Sequence, residues 1–179
     1  MEMVRAGGYE SLTIEAIAAR AGVGKQTIYR WWPSKGAVAV DALSAELQTP
    51  TTWTASGDIR ADLIAQIHRI TDRLTDPAVG PHLIALTCEA LSDPAVAEAL
   101  YERAVIPSRT AAREFMVRAR AAGEVRDDID LELAVDLIYA PLFYRLLTRA
   151  APVSDLDATA LTDAVLRAIQ PAPREGSGR

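Results

Sequence analysis

Apolar positions along the chain recur at spacings of three and four rather than two. Ile14, Ile17, Ala18 and Ala21 follow this rhythm and predict a helix with Thr13 as its N-cap, Glu15 in its first turn and Gly22 at its end. Val23 is an apolar plug, Gly24 opens a second helix over 25–32, and Pro33-Ser34 breaks the chain and caps a third over 35–47. The segment 49–57 reads as a loop, rich in Thr, Ser and Gly. Beyond it, Asp58 caps a helix over 59–75, and Asp76-Pro77 and Gly80-Pro81 start one ending near Leu91. Asp93-Pro94 starts another that runs to about Ala122, with a kink expected at Pro107. Asp130 starts a helix to about Arg149, and 157–169 forms the last. Residues 1–7 read as the tail of a short helix closed by Gly7-Gly8, and 171–179 as a disordered tail. No run of residues alternates as a strand would. The expected fold is all-α: an N-terminal three-helix helix-turn-helix domain over 1–47, its first helix truncated, and a C-terminal helical bundle over 58–170.

Two helices carry more than one apolar face. On 131–147, Leu131, Val135, Ile138, Leu142 and Leu146 make one stripe, and Leu133, Leu137, Ala140 and Tyr144 make a second. A helix apolar on two faces is buried on both. One face packs on its own subunit, and the other needs a second chain, a ligand cavity or a place at the centre of a monomer. On the last helix, Ala160, Ala164 and Ala168 form a small-residue row beside Leu161 and Val165. The pair resembles half of an intersubunit four-helix bundle. The Leu133 stripe and the Ala160–Ala168 row are therefore the expected homodimer surface.

Composition narrows the function. The chain has 179 residues, of which 50% are hydrophobic and 24% charged, an ordinary globular balance. No apolar run is long enough to span a bilayer, and the N-terminus has no apolar signal region. Cys88 is the only cysteine, so no intramolecular disulfide forms, and a cytoplasmic location is expected. With His68 and His82 the only histidines, no His/Cys zinc site is expected, nor any cofactor. Catalysis is also not expected. The stretch Gly22-Val23-Gly24-Lys25 lacks the leading Gly and the following Ser or Thr of a phosphate loop. Cys88 and His82 lie well apart around one helix and cannot act as nucleophile and base.

The net charge of −5 argues at first against nucleic acid. Its distribution reverses that reading. Residues 16–40 hold Arg20, Lys25, Arg30 and Lys35 and no acid, while residues 1–47 as a whole are neutral. Phosphate attraction acts locally and is screened beyond about 8–10 Å, so a local basic face suffices.

That face coincides with a helix, a short Gly-containing turn and a second helix. In the second helix, Ile28 and Trp32 face inward while Lys25, Gln26, Thr27, Tyr29 and Arg30 face outward. Such a helix fits a major groove. Gln26 suits adenine and Lys25 suits guanine N7 and O6. Thr27 suits a thymine methyl or a phosphate, and Tyr29 either donates to a phosphate or packs half-buried. Trp31 is either an aromatic flanking DNA or a lid on the module. The amides at the start of the helix beginning at Lys35 suit a backbone phosphate.

The stretch GYESLTIEAIAARAGVGKQTIYRWWPSKGAVAVDAL resembles the DNA-binding domain of the tetracycline-repressor (TetR) family of bacterial transcriptional regulators. EALSDPAVAEAL, GEVRDDIDLELAVDLIYAPLFYRLL and the last helix resemble that family's ligand-binding and dimerisation domain more loosely. The resemblance implies that Thr13, Thr27, Tyr29 and Lys35 touch phosphates and that Lys25 and Gln26 read bases. It also implies a homodimer, a near-palindromic DNA operator and a small-molecule inducer. Two departures stand out. Gly24 replaces the usual Ser or Thr cap, and only MEMVRAGG precedes the motif where the family has a longer first helix. Either the start lies upstream or the first helix is clipped, which predicts a weaker N-terminal module. In the clipped case a small-molecule sensor or interaction protein that no longer binds DNA is the alternative function. Expected pocket residues are Leu86, Met116, Tyr139 and Phe143, with His68 as a polar contact.

Overall fold

The computed structural model describes residues 8–9, 11–47 and 53–172. The expectations for residues 1–7 and for most of the C-terminal tail lie outside them. Among the described residues all regular structure is helical. The chain divides into two compact units. Unit 1 comprises Met1–Thr51 with Arg73–Ser108, and unit 2 comprises Thr52–Asp72 with Arg109–Arg179.

In unit 1, α1 (Ile14–Ala21) starts where Thr13 Oγ1 accepts the Ala16 N–H at 3.1 Å. It stops at Gly22, whose φ of 66° is the left-handed conformation that a glycine adopts without steric cost. The second helix, α2 (Lys25–Tyr29), is shorter than the expected 25–32. Its last hydrogen bonds tighten: Trp31 N–H donates to the Ile28 carbonyl, three residues back, at 3.0 Å. Pro33 follows and prevents continuation. α3 (Lys35–Leu47) begins under a Ser34 cap, whose Oγ accepts the Ala37 N–H at 3.2 Å. Ile14, Ala18 and Ile28 form the core of the head, with Ile17, Trp32 and Val38 packed on it.

α4 (Ile59–Thr75) contributes its last residues to unit 1 and the rest to unit 2. α5 (Gly80–Ala90) has Pro81 in its first turn, and α6 (Pro94–Leu100) is capped by Asp93, which accepts the Ala95 N–H at 2.9 Å. α3 packs on both α5 and α6.

The expected continuous helix over 94–122 is interrupted. Tyr101–Val105 is a π-helical turn, in which Ile106 N–H reaches back five residues to the Tyr101 carbonyl. α7 (Ile106–Ala121) then resumes. Pro107 has no N–H and would crowd the carbonyl four residues before it in a regular helix. The wider turn relieves that conflict, and Ser108 Oγ donates to the Ala104 and Val105 carbonyls at 3.0 Å each.

Unit 2 is built on α8 (Leu131–Thr148) and α9 (Ala158–Ile169), with parts of α4 and α7 and a 3-10 turn at Val153–Asp155. Asp130 and Asp157 cap the two helices, accepting the Glu132 N–H at 2.9 Å and the Thr159 N–H at 2.8 Å. The core joins Leu63 and Ile67, Phe115 and Met116, Val135 and Ile138, and Leu166 and Ile169. Trp53 stacks against Phe115 with ring centroids 4.8 Å apart. No helix among the described residues is long and apolar enough to cross a membrane.

Candidate nucleic-acid interface

The head presents α2 almost whole to solvent. Ile28 alone is buried, while Lys25, Gln26, Thr27, Tyr29, Arg30 and Trp31 are exposed. Tyr29 is 53% exposed and Trp31 69%, so neither ring is a lid on the core. A single apolar anchor and a fully polar outer face give a helix that projects side chains outward from its first residue.

The start of α2 is plain backbone. Gly24 caps it without a side-chain hydrogen bond, and its carbonyl accepts the Thr27 N–H at 2.9 Å. The turn before it is closed by the Val23 N–H on the Ala18 carbonyl at 3.0 Å. Thr13, at the start of α1, is exposed. Its Oγ1 accepts the cap bond, and its own O–H remains a donor.

Lys25 is not a free cation. Its Nζ lies 2.5 Å from Glu15 Oε1 in α1, and both side chains are more than half exposed. The shared hydrogen bond holds Lys25 above the ordinary lysine range and Glu15 below the ordinary carboxylate range. Lys35, at the first position of α3, is partly exposed, with its Nζ 4.8 Å from the Tyr9 ring centroid. The Tyr9 hydroxyl donates in turn to Glu89 of α5. Burial first, and the Glu89 hydrogen bond second, push the Tyr9 phenol well above its usual range. Gly36 sits under this cluster, where any Cβ would meet Val96, Glu89 and Tyr9.

The sequence marked Glu15 only as a first-turn residue of its helix, and it did not single out Tyr9 or Glu89. Glu15 and Lys25 are ten residues apart and meet only once the turn is folded. Glu89 lies eighty residues from Tyr9.

The other candidates lie elsewhere. On α8, Leu131, Val135, Ile138, Leu142 and Leu146 are buried, whereas Leu133 (52% exposed), Ala140 and Tyr144 (62%) are exposed and Leu137 is half-buried. On α9, Ala160 and Ala164 are exposed, and Leu161 and Ala168 are half-buried. Val165 corrects the expected surface. It is in the core of unit 2, on the inward row with Thr162, Leu166 and Ile169. The pocket candidates do not gather in one unit. Leu86 is fully buried in unit 1, while Met116 lies in the unit 2 core with Tyr139 packed on it. Phe143 is half-buried, and His68 is exposed on the outer face of α4. Buried polar groups that the sequence did not mark occur instead in unit 2: Trp53 Nε1, Gln66 Nε2 and Thr162 Oγ1 have no hydrogen-bond partner among the described residues.

Comparison with known proteins agrees with this architecture. The family "Bacterial regulatory proteins, tetR family" matches residues 1–42, and "Tetracyclin repressor-like, C-terminal domain" matches residues 54–165. The chain is 32% identical over 148 residues to the uncharacterized HTH-type transcriptional regulator YdeS of Bacillus subtilis, covering 83% of this chain and 74% of that one. It is 31% identical over 163 residues to the DNA-binding transcriptional repressor TetR of Mycobacteroides abscessus, covering 89% and 83%. The crystal structure of the TetR family transcription regulator SCO0332 superposes with a TM-score of 0.82 at 35% identity, covering 95% of this chain and 93% of that one. With its helix-turn-helix and its second helical domain, the chain belongs to the TetR family of transcriptional regulators.

Proposed function

We propose that the protein is a repressor that binds a near-palindromic operator as a homodimer and is released by a small-molecule inducer. The observation that carries the reading is α2, a helix held by Ile28 alone with every other side chain turned out. In this reading residues 1–47 are the DNA-binding domain, and 58–170 hold the ligand and the dimer contact. Gln26 and Lys25 read base edges, while Thr13, Thr27, Tyr29 and Lys35 hold phosphates, with Arg30 and Trp31 beside them.

The outer stripe of α8, with Leu133, Ala140 and Tyr144 exposed and Leu137 half-buried, supports the homodimer, because large apolar side chains on one face favour a partner. With Ala160, Leu161, Ala164 and Ala168 it forms two helix faces able to pack against their copies. Two such subunits would set their recognition helices in successive major grooves, about 34–36 Å apart. The unpartnered Trp53, Gln66 and Thr162 groups support a polar ligand contact within unit 2, since buried donors are ordinarily satisfied. The inducer acts by binding one conformation of the dimer better than the other.

Selection of genomic fragments by the purified protein, with molar mass measured on the same sample, tests the reading. A dimer that recovers a short inverted repeat is the expected result. A dimer that enriches no sequence would overturn it. Lys35→Ala is expected to weaken binding to every sequence and reduce the salt slope by about 1, and Gln26→Ala to relax preference at one base position.

A further inference from the structure

The contact between Glu15 and Lys25 is out of place for simple stability. Lys25 stands at the first position of α2, the positive end of a helix, where a cation is disfavoured. Both side chains are open to solvent, so burial does not force them together. Glu15 also sits inside the face offered to DNA, where a carboxylate repels phosphates.

An ammonium has three N–H donors. Glu15 Oε1 takes one of them at 2.5 Å. Two remain, and guanine presents two acceptors, N7 and O6, on its major-groove edge. Attraction to the phosphate backbone makes no such demand on direction and needs only free positive charge. We infer that Glu15 is a specificity-determining residue: it withholds the Lys25 charge from the phosphate backbone and aims the remaining donors at a base edge. This rests on the reading of α2 as the DNA-reading helix. The pair is expected to persist in the operator complex, with Glu15, Lys25 and the base in one chain of hydrogen bonds.

The test compares the wild type with Glu15→Gln, Lys25→Ala and the double variant. Each is titrated with a duplex recovered by genomic selection and with a shuffled duplex of the same composition, over a range of salt. All substituted side chains are exposed, and a thermal melt of each variant verifies the fold. In Glu15→Gln, affinity for the shuffled duplex is expected to rise about threefold at low salt and its salt slope to steepen by about 0.9. The selected duplex gains less, so discrimination falls. In the Lys25→Ala background the Glu15 change is expected to move both duplexes by one common factor. Glu15→Asp, which keeps the charge with a shorter reach, is expected to lose less discrimination. Equal gains on both duplexes with Lys25 present, or no change on either, would overturn the inference and leave the DNA reading standing. Failure of the wild type to recover any duplex would remove that reading and the inference with it.

Discussion

The indole N–H of Trp32 donates to Asp41 Oδ2 at 3.1 Å, while Asp41 Oδ1 meets the guanidinium of Arg103. One carboxylate thus ties the segment after α2 to α3 and α3 to the π-helical turn. Asp41→Ala leaves a half-buried indole donor without its acceptor and Arg103 without its counter-charge. The expected loss is about 1 kcal/mol, kept small because the ion pair is partly exposed. Asp41→Asn retains an acceptor for Trp32 and is expected to lose less. Urea midpoints of the two variants check the order.

Two glycines of unit 1 are fixed by close approach. A Cβ at Gly80 would stand 2.1 Å from the Leu74 carbonyl oxygen, and one at Gly36 would stand 2.4 Å from Val96 Cγ2. Backbone yields less readily than a methyl group. Gly36→Ala is expected to cost about 1–3 kcal/mol, and Gly80→Ala more. Thermal melts of the two variants give the comparison directly.

Unit 1 also carries two groups that make stability depend on pH in opposite directions. Burial lowers the pKa of His82 on α5 from its ordinary 6.5. The folded state therefore prefers the neutral ring. Its contribution is present above pH 6.5 and is lost as pH falls through the lower folded value. The Tyr9 phenol is raised from 10.0, so its contribution is present below that pH and is lost as pH climbs beyond it. The expected melting curve falls off on both sides. Tyr9→Phe should flatten the alkaline limb and leave the acid limb in place. An unchanged alkaline limb would refute the assignment to Tyr9.

Oligomeric state should respond to the outer stripe of α8 and not to its inner one. Leu133→Asp together with Tyr144→Asp places charge on side chains already more than half exposed. Light scattering is expected to show a monomer that retains its helical signal. A dimer of unchanged mass would mean that this face is not the contact.

Helix starts were readable because they are written in single residues. Asp93-Pro94, Asp130 and the Thr13 cap each supply a local hydrogen bond or remove a donor the first turn does not need. The exposed face of α2 was readable for a related reason: one apolar residue, Ile28, lies amid polar neighbours. The π-turn at Tyr101–Val105 was not. Pro107 signals a conflict, but a kink and a widened turn are both local remedies, and the Ser108 bonds to the carbonyls three and four residues back occur in an ordinary helix as well. Val165 was misplaced because it lies beside the alanine row on the helix surface, and the choice of inward face depends on what α8 presents. The pairs Lys25–Glu15, Arg103–Asp41 and Tyr9–Glu89 join separate segments of the chain, and no local pattern announces them.

The construction of α2 has a consequence over generations. Its fold rests on Ile28, the glycine-closed turn and the tightened end, and not on the residues that face outward. Surface substitutions of that kind usually change stability by less than about 0.5 kcal/mol. Positions 25, 26, 27, 29 and 30 can therefore drift almost independently of the scaffold beneath them. Under the proposed function, a duplicated copy of such a gene would acquire a new target by exchanging a handful of surface codons, each change costing little stability.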